Sequence, residues 1–409
     1  MKVSKAGIAA ALAFGALAAT AGAQLPSMPQ VRAISLGREE RAAVTAIQAS
    51  MNSRDRAAQD QALAAARAAV RSPEGRYAVG YYQLEIGRMR GDAQLQAAAV
   101  DQLVESGQAT PAEMASLLGN QAARALAARD LPRTGRLLAR MIELRPNDPA
   151  TLADYAELKA RMGEPGNGAE LLQRAVAAAQ AAGRPAPESW HLRGLALAFE
   201  SRQAPAAFAL GRFLVTNYPS AANWRDALLA YRELSPPDPA LALDIQRLMR
   251  ASQSLGGERD YVEYAEAART AGLLGEAKTV IDDGVSRGML ETARIPPALA
   301  TATAARAVTT DRGRLAGQRT AALAAATGQP ARIAGDAHFG YGLYAEAAEL
   351  YGAALQKGGE DPNLVNSRLG AALALAGRRP EAEAALHAVT GPRADLAGFW
   401  LAWLARRPA

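Results

Sequence analysis

The chain has no cysteine among its 409 residues. This absence excludes disulfide bonds, thiolate metal ligands, cysteine nucleophiles and a lipid anchor on cysteine. Histidine is also scarce, and its three copies, at His191, His338 and His387, lie far apart in the sequence. Because a protein metal site needs several ligands close together, we expect no metal ion. We likewise expect no cofactor.

Long apolar runs are missing except for residues 6–19 near the amino terminus. This run follows Lys2 and Lys5 and precedes the sequence Ala21-Gly22-Ala23. That order predicts a secretion signal over residues 1–23, cleaved after Ala23, followed by a flexible mature segment over 24–37. The alternative is a short membrane anchor, but the run is shorter than the roughly 20 residues that cross a bilayer. We therefore expect no integral membrane span after cleavage.

Lysine is nearly absent as well, so the basic residues are 41 Arg and only 5 Lys against 40 acidic residues. The charges are interspersed and the net charge is only +6. A nucleic-acid-binding protein would show a basic stripe with stacking aromatic residues, and none is visible. The composition, together with the signal, predicts export to the periplasm of a Gram-negative bacterium and no nucleic-acid partner.

A repeat of 34 residues is the strongest positive feature. Trp190 and Trp224 are separated by this interval, and so are Leu118 and Leu152. Half the residues are hydrophobic, and Ala, Leu and Arg, which favour helices, dominate the composition. Similar small and large residues follow each tryptophan: Gly194, Leu197, Ala206, Leu210 and Pro219 after the first, and Leu228, Tyr231 and Ala240 after the second.

This spacing resembles that of the tetratricopeptide-repeat family, in which each repeat is a pair of helices. The resemblance implies an all-α fold, a right-handed α-solenoid of roughly nine helix pairs. It is specific for residues 115–290 and 328–396, and it implies divergent helix pairs over 38–114. The remaining parts are expected to be an irregular helix pair over 291–327, started by Pro296-Pro297 and broken at Asp311-Arg312-Gly313, and a capping helix with a tail over 394–409.

Small residues mark the predicted contacts within each pair. Two helices approach closely only where the facing residues are small, so Gly194, Ala265, Gly335 and Gly370 of the first helices should face alanines of the second helices. The alanines expected to be buried at these contacts are Ala206, Ala240, Ala277, Ala347 and Ala382.

Two short motifs resemble those of enzymes. Gly284-Val285-Ser286-Arg287-Gly288 matches the Gly-x-Ser-x-Gly turn of hydrolases, which requires a strand before the serine. Gly340-Tyr341-Gly342-Leu343-Tyr344-Ala345 resembles a dinucleotide-binding loop, which also requires a preceding strand. Since both lie in helical repeats, we interpret them as turns and helix ends. A hydrolase acting through Ser286 remains a third hypothesis.

The family resemblance also implies a function, a non-catalytic adaptor that holds a protein or peptide partner in a concave groove. Several arginines fall among the matching first-helix positions, and their planar forks suit carboxylates, so the partner could present an acidic segment or a chain-terminal carboxylate. A simple solvated charged face is the alternative at these positions, and a glycan-binding component of an exopolysaccharide or cellulose secretion assembly is the alternative function. The expected partner-binding residues are Glu157, His191, Arg225, Arg232, Arg259, Glu266, Arg269, Arg332 and Asp336.

Overall fold

A computed structural model describes residues 35–52 and 55–407 of the chain. The expected signal over 1–23 and most of the segment 24–37 lie outside these residues. Within the described ranges the secondary structure is helical, with no β-strand, which confirms the predicted all-α fold class. No helix in the same ranges is both long enough and apolar enough to cross a membrane.

The chain divides into two units, Met1–Leu197 and Ala198–Ala409. We describe each by itself, and the right-handed sense of the whole array stays a prediction. The division falls inside the helix α9. The helices up to that point are α1 (Arg38–Met51), α2 (Arg56–Ala69), α3 (Pro73–Arg90), α4 (Ala93–Glu105), α5 (Pro111–Ala127), α6 (Leu131–Leu144), α7 (Pro149–Arg161), α8 (Pro165–Ala181) and α9 (Glu188–Glu200).

The second unit continues the same alternation of helices and short turns. Its long helices are interrupted once, by a series of short ones after residue 286. The helices are α10 (Ala204–Asn217), α11 (Ala221–Leu234), α12 (Pro239–Ala251), α13 (Glu258–Thr270), α14 (Leu274–Ser286), α15 (Pro297–Ala302), α16 (Ala305–Gly313), α17 (Leu315–Ala324), α18 (Gln329–Gly340), α19 (Tyr344–Lys357), α20 (Pro362–Leu375), α21 (Arg379–His387) and α22 (Ala394–Leu404).

Polar caps and prolines set where many helices begin. The Asp148 carboxylate accepts a hydrogen bond from the Thr151 amide, and proline occupies the first position of α7. Thr110 and Glu113 form a reciprocal capping box at the start of α5. These contacts satisfy amide groups that the helix itself leaves without a partner. Local sequence therefore fixes the helix boundaries before any packing between repeats.

Consecutive helices pack in pairs, as the repeat predicts, and the predicted alanines test the register. Ala277, Ala347 and Ala382 are fully buried, and Ala206 is nearly so. Ala240 is only half-buried, because α12 begins at Pro239 and places the alanine in its first, exposed turn.

The glycines of the first helices face large side chains rather than the alanines. A Cβ added at Gly335 would lie 2.8 Å from the Tyr351 ring, and one at Gly370 would lie 2.5 Å from Leu386 Cγ. Each glycine thus makes room for a bulky residue of the second helix. At Gly370 the predicted neighbour Ala382 is also close, since its carbonyl oxygen would lie 3.4 Å from the added Cβ, whereas at Gly335 the neighbour is Tyr351.

Residues between α14 and α18 form an irregular insertion of short helices, with a helix starting at Pro297 and another ending at Gly313, where the sequence predicts the start and the break. Helix α14 packs directly against α18, so the regular array bypasses the segment between them. This segment contains a 3₁₀ turn over Thr292–Arg294 and the three short helices α15, α16 and α17. Proline at residues 296 and 297 and glycine at residue 313 interrupt it, so no helix there reaches the length of a normal repeat helix.

The last helix, α22, returns to the start of the second unit. It packs against α20 and α21 and also against α10. Phe399, Trp400 and Trp403 are buried in this contact. The Trp403 indole nitrogen donates to the Ala251 carbonyl at 3.1 Å, and the Tyr231 hydroxyl donates to the Pro392 carbonyl at 3.1 Å. The second unit is therefore closed on itself by its own carboxyl-terminal helix.

Candidate functional site

The predicted partner-binding residues of the first unit are not on an open surface. Glu157 is buried and accepts hydrogen bonds from Arg161 Nε at 3.3 Å and from Arg193 Nε at 3.1 Å. His191 is fully buried; its burial lowers the pKa to about 4, against an opposing hydrogen bond with the Ala186 backbone. The prediction that these side chains line a groove is corrected by their burial.

The predicted arginines of α11 and α13 pair with carboxylates of α13. Arg225 forms an ion pair with Asp260, with 3.2 Å between Nη2 and Oδ1. Glu263 accepts from Arg259 Nε at 2.7 Å and lies 3.7 Å from Arg232 Nη1. Arg259 remains the most accessible of these, since 66% of its side chain is exposed. The expected basic surface is thus largely neutralised within the chain.

The other predicted residues are also paired with charged side chains of the same chain. Glu266 accepts a hydrogen bond from Arg269 Nε at 2.7 Å. Arg332 donates from Nε to Glu360 at 2.7 Å and from Nη1 to Asp336 at 3.0 Å, and Asp336 is buried. Binding of a partner by the accessible members of the set stays a prediction.

A buried ion cluster, which sequence reasoning missed, lies in the second unit. We call it the central ion cluster. It joins α12, α14, α18 and α20 to the turn that precedes α22. Its three acidic and three basic side chains balance in charge and are all buried. The members are Asp244, Arg247, Glu276, Asp336, Arg368 and Arg393.

Asp244 is the acceptor at the centre of this cluster. It accepts from Arg247 Nη1 and Arg368 Nε, each at 3.0 Å, and from Arg393 Nη1 at 2.7 Å. Burial alone would raise the pKa of Asp244, but the guanidinium groups of Arg368, Arg247 and Arg393 outweigh burial and hold it below the ordinary value. The carboxylate therefore stays ionised and holds three helical segments together.

Two tyrosines donate hydrogen bonds to the other two carboxylates of the central ion cluster. Tyr264 donates its hydroxyl to Glu276 at 2.7 Å, and Tyr351 donates to Asp336 at 2.7 Å. Burial and the adjacent carboxylates raise the pKa of both hydroxyls well above the ordinary value, so both remain protonated donors. The void beside the cluster, next to Trp400, holds only about 10 Å³, room for about one water molecule. The side chains of the cluster are thus closely packed, and the void beside them is too small for a substrate.

The hydrolase-like motif has a structural explanation. Ser286 is the last residue of α14, and its hydroxyl donates to the Asp283 carbonyl at 2.9 Å. A Cβ at Gly284 would lie 2.8 Å from the Tyr261 ring, and Gly288 ends the helix with a φ of +67°. Both glycines are therefore required by packing and by backbone conformation, and a helix precedes the serine where a hydrolase has a strand.

The nucleotide-like motif is explained in the same way. Gly340 ends α18 at the contact with α14, where a Cβ would lie 3.0 Å from the Glu276 amide. Gly342 takes a φ of +75° in the turn to α19. The motif follows a helix, so it lacks the strand of a dinucleotide-binding loop. Across the described ranges, no group of three or more His, Asp or Glu side chains could hold a metal ion.

Two open grooves lie on the second unit. The first, the α19–α21 groove, has a volume of about 710 Å³ and is lined by residues of α17, α19, α20 and α21. The second, the α17–α18 groove, has a volume of about 540 Å³ and lies between α17, α18 and the turn that joins α13 to α14. Volumes of this size are typical of sites that accept a small ligand or a few side chains of a peptide.

No protein-family model matches the chain, and no curated protein matches it. Among solved structures, it is similar to a chain of the structure of Naa15/Naa10 bound to HypK-THB, with 14% identity and a TM-score of 0.29. The match covers 87% of this chain but 65% of that one, less than two thirds. The fold described above stands on the helices themselves.

Proposed function

We propose that the protein is a non-catalytic scaffold that binds a protein or peptide partner. The observation that carries this proposal is the pair of open grooves on an array of helix pairs whose buried charges are already paired within the chain. Open grooves between helices accept a peptide or a helix of another chain. Arrays of this kind present long surfaces of such grooves.

We also propose that the protein acts after export, in the periplasm. This part rests on the sequence, in which two lysines, an apolar run and Ala21-Gly22-Ala23 occur in the order of a cleaved signal. The absence of cysteine suits an oxidising compartment, where a free thiol would be exposed to oxidation.

A direct glycan-binding role receives no support. Sugars bind on exposed aromatic rings, whereas every Trp, Tyr and Phe in residues 35–52 and 55–407 is buried or, like Trp190, half-buried. Trp224, Trp400 and Trp403 are buried in the helix packing. The placement of the aromatic side chains therefore favours a protein partner over a glycan.

The proposal is tested by capture of partners from a periplasmic extract with the full chain, followed by mass spectrometry. We expect one or a few proteins in amounts comparable to the bait. Their release by excess untagged chain would show competition for the same site. The same bait on a glycan array serves as the control, and glycan binding without a protein partner would contradict the proposal.

A further inference from the structure

We propose that the α17–α18 groove is a docking site for a peptide segment that carries one apolar side chain next to an acidic residue. This inference rests on the proposed function and names the partner chemistry and the place. It assigns the acidic partner to a surface formed by the insertion and α18, rather than to the arginines of α11 and α13.

The walls of the groove are apolar on facing helices. On α18, Pro330, Ile333 and Ala337 recur at helical spacing along the groove, and Ala321 of α17 and Ala325, just after α17, line the opposite wall. Ile333 is 52% exposed, although isoleucine is normally a core residue. An exposed isoleucine in a concave apolar surface is typical of a position that another side chain covers.

Tyr341 fixes one end of the groove. Its hydroxyl donates to Asp311 at 2.7 Å and to the Val308 carbonyl at 3.2 Å, so it ties α16 to α18. Gly275 makes this placement possible, because a Cβ there would lie 2.4 Å from the Tyr341 ring. Burial and the hydrogen bond to Asp311 raise the pKa of Tyr341 above its ordinary value, which keeps the hydroxyl a donor.

The same end carries excess positive charge. The Arg312 guanidinium carbon lies 5.9 Å from the centre of the Tyr341 ring. Arg314 precedes α17 on the helical stripe that continues through Gln318, which lines the groove. Both arginines are exposed, and neither has a carboxylate partner among the described residues. The hydrogen bond from the neutral Tyr341 hydroxyl leaves the negative charge of Asp311 in place, so two arginines stand against one carboxylate and this end of the groove has an excess of one positive charge.

The larger α19–α21 groove lacks this combination. Its charged residues are already paired, Arg378 with Glu381 and Glu349 with Arg319 at 2.7 Å. It therefore has no unpaired charge to select a partner. Charge complementarity at one end and an exposed apolar anchor position beside it favour the α17–α18 groove for an acidic peptide.

A random 12-residue peptide library displayed on phage, selected on the full chain, tests the proposal. We expect enrichment of peptides with Leu, Ile or Phe next to Asp or Glu. A synthetic peptide of the enriched sequence should lose affinity roughly tenfold or more with Ile333→Asp, and similarly with Arg312→Glu plus Arg314→Glu. Arg378→Glu in the other groove is the matched control and should leave affinity unchanged. All the changed residues are on the surface, and thermal unfolding checks that the variants fold.

Three outcomes separate the two proposals. Acidic, apolar peptides whose binding is lost only with the α17–α18 variants support the docking site. Enriched peptides that bind all α17–α18 variants equally well overturn the docking site but leave the scaffold proposal standing, and Arg259→Glu would then show whether the first-helix surface holds them. If no peptide is enriched and no protein is captured from the extract, both proposals are wrong.

Discussion

Asp244 and Arg368 lie 124 positions apart in the chain and form a buried ion pair, with 3.0 Å between Arg368 Nε and Asp244 Oδ1. Arg368 also donates to Asp336 at 2.7 Å, so one guanidinium joins a second helix of one repeat to the first helix of another. Ideal repeat arrays contact only their neighbours. This pair departs from that rule and, with α22, closes the second unit.

Removal of Arg368 should destabilise the second unit strongly. Arg368→Met leaves the carboxylates of Asp244 and Asp336 buried with fewer compensating charges, and breaking one member of such a cluster costs about 3–5 kcal/mol. Urea unfolding followed by circular dichroism measures the loss. Arg378→Met, which removes an exposed pair with Glu381, is the control and should cost at most about 1 kcal/mol. Equal urea midpoints for the two variants would show that Arg368 contributes no more to stability than an exposed ion pair.

The glycine contacts give a second prediction. Gly370→Ala would place a Cβ 2.5 Å from Leu386 Cγ and force α20 and α21 apart. We expect a loss of roughly 1–3 kcal/mol in the free energy of unfolding. Gly352→Ala has no atom within 4 Å of the new Cβ and should instead stabilise α19 by about 0.5–1 kcal/mol. If both substitutions stabilise the protein in thermal unfolding, the close approach at Gly370 is absent in solution.

The first unit should lose stability in acid in two stages. The His191 pKa of about 4 lies below its ordinary 6.5, so the folded unit resists protonation and its stability falls as pH drops from about 6.5 to 4. The Glu40 pKa is lowered to about 2 by hydrogen bonds from the Ser72 hydroxyl, the Ser72 amide and the Arg71 amide. The stability that the ionised Glu40 side chain provides is fully present above about pH 4.5 and is lost as the pH falls from there to about 2.

Hydrogen exchange of first-unit peptides across this pH range measures both stages. His191→Gln should flatten the stage between pH 6.5 and 4, and Glu40→Gln should flatten the stage below it. His387→Gln, at an exposed position, is the control and should leave both stages intact. A profile unchanged by His191→Gln would mean that His191 is protonated as easily in the folded chain as in the unfolded one.

Export gives a fourth prediction. Under the export proposal, the native protein isolated from its source cells should begin at Gln24 or within a few residues of it, because the Ala21-Gly22-Ala23 sequence matches a signal cleavage site. Amino-terminal sequencing is the measurement. Replacing Ala21 and Ala23 with Lys should block cleavage and retain the longer chain. A mature protein that still begins at Met1 or Lys2 would contradict the export proposal.

The helices could be predicted from the sequence because each repeat needs the same kinds of residue at the same positions. Positions such as Ala277 and Ala347 are small wherever two helices meet, and this requirement returns at each repeat. The prediction that Ala240 is buried was wrong, because α12 begins at Pro239 and Ala240 therefore lies in the first, exposed turn of the helix. Between residues 291 and 327 the repeat pattern is interrupted, and one helix begins at Pro297 and another ends at Gly313, where the prolines and the Asp311-Arg312-Gly313 break stand in the sequence.

The candidate sites were harder to predict because they depend on distances between repeats. Arg225 and Arg259 were correctly identified as first-helix residues, but their pairing with Asp260 and Glu263 depends on the spacing between helices. The partners of Arg368 lie in two other repeats, and no spacing in the sequence distinguishes it from the many other arginines. The α17–α18 groove forms only because the insertion folds back onto the array, which a periodic pattern does not record.

The central claim, that this chain is a scaffold for a protein partner, is tested most directly by photo-crosslinking in living cells. A photoreactive residue is placed at position 333 in the α17–α18 groove, at position 259 on the first-helix surface, or at position 89 as an exposed control in the first unit. Ile333, Arg259 and Met89 are all exposed, so each probe can reach a partner without disturbing the core. We expect a discrete protein adduct from position 333 that is lost with Arg312→Glu plus Arg314→Glu, and none from position 89. Absence of a protein adduct from both position 333 and position 259 would contradict the account.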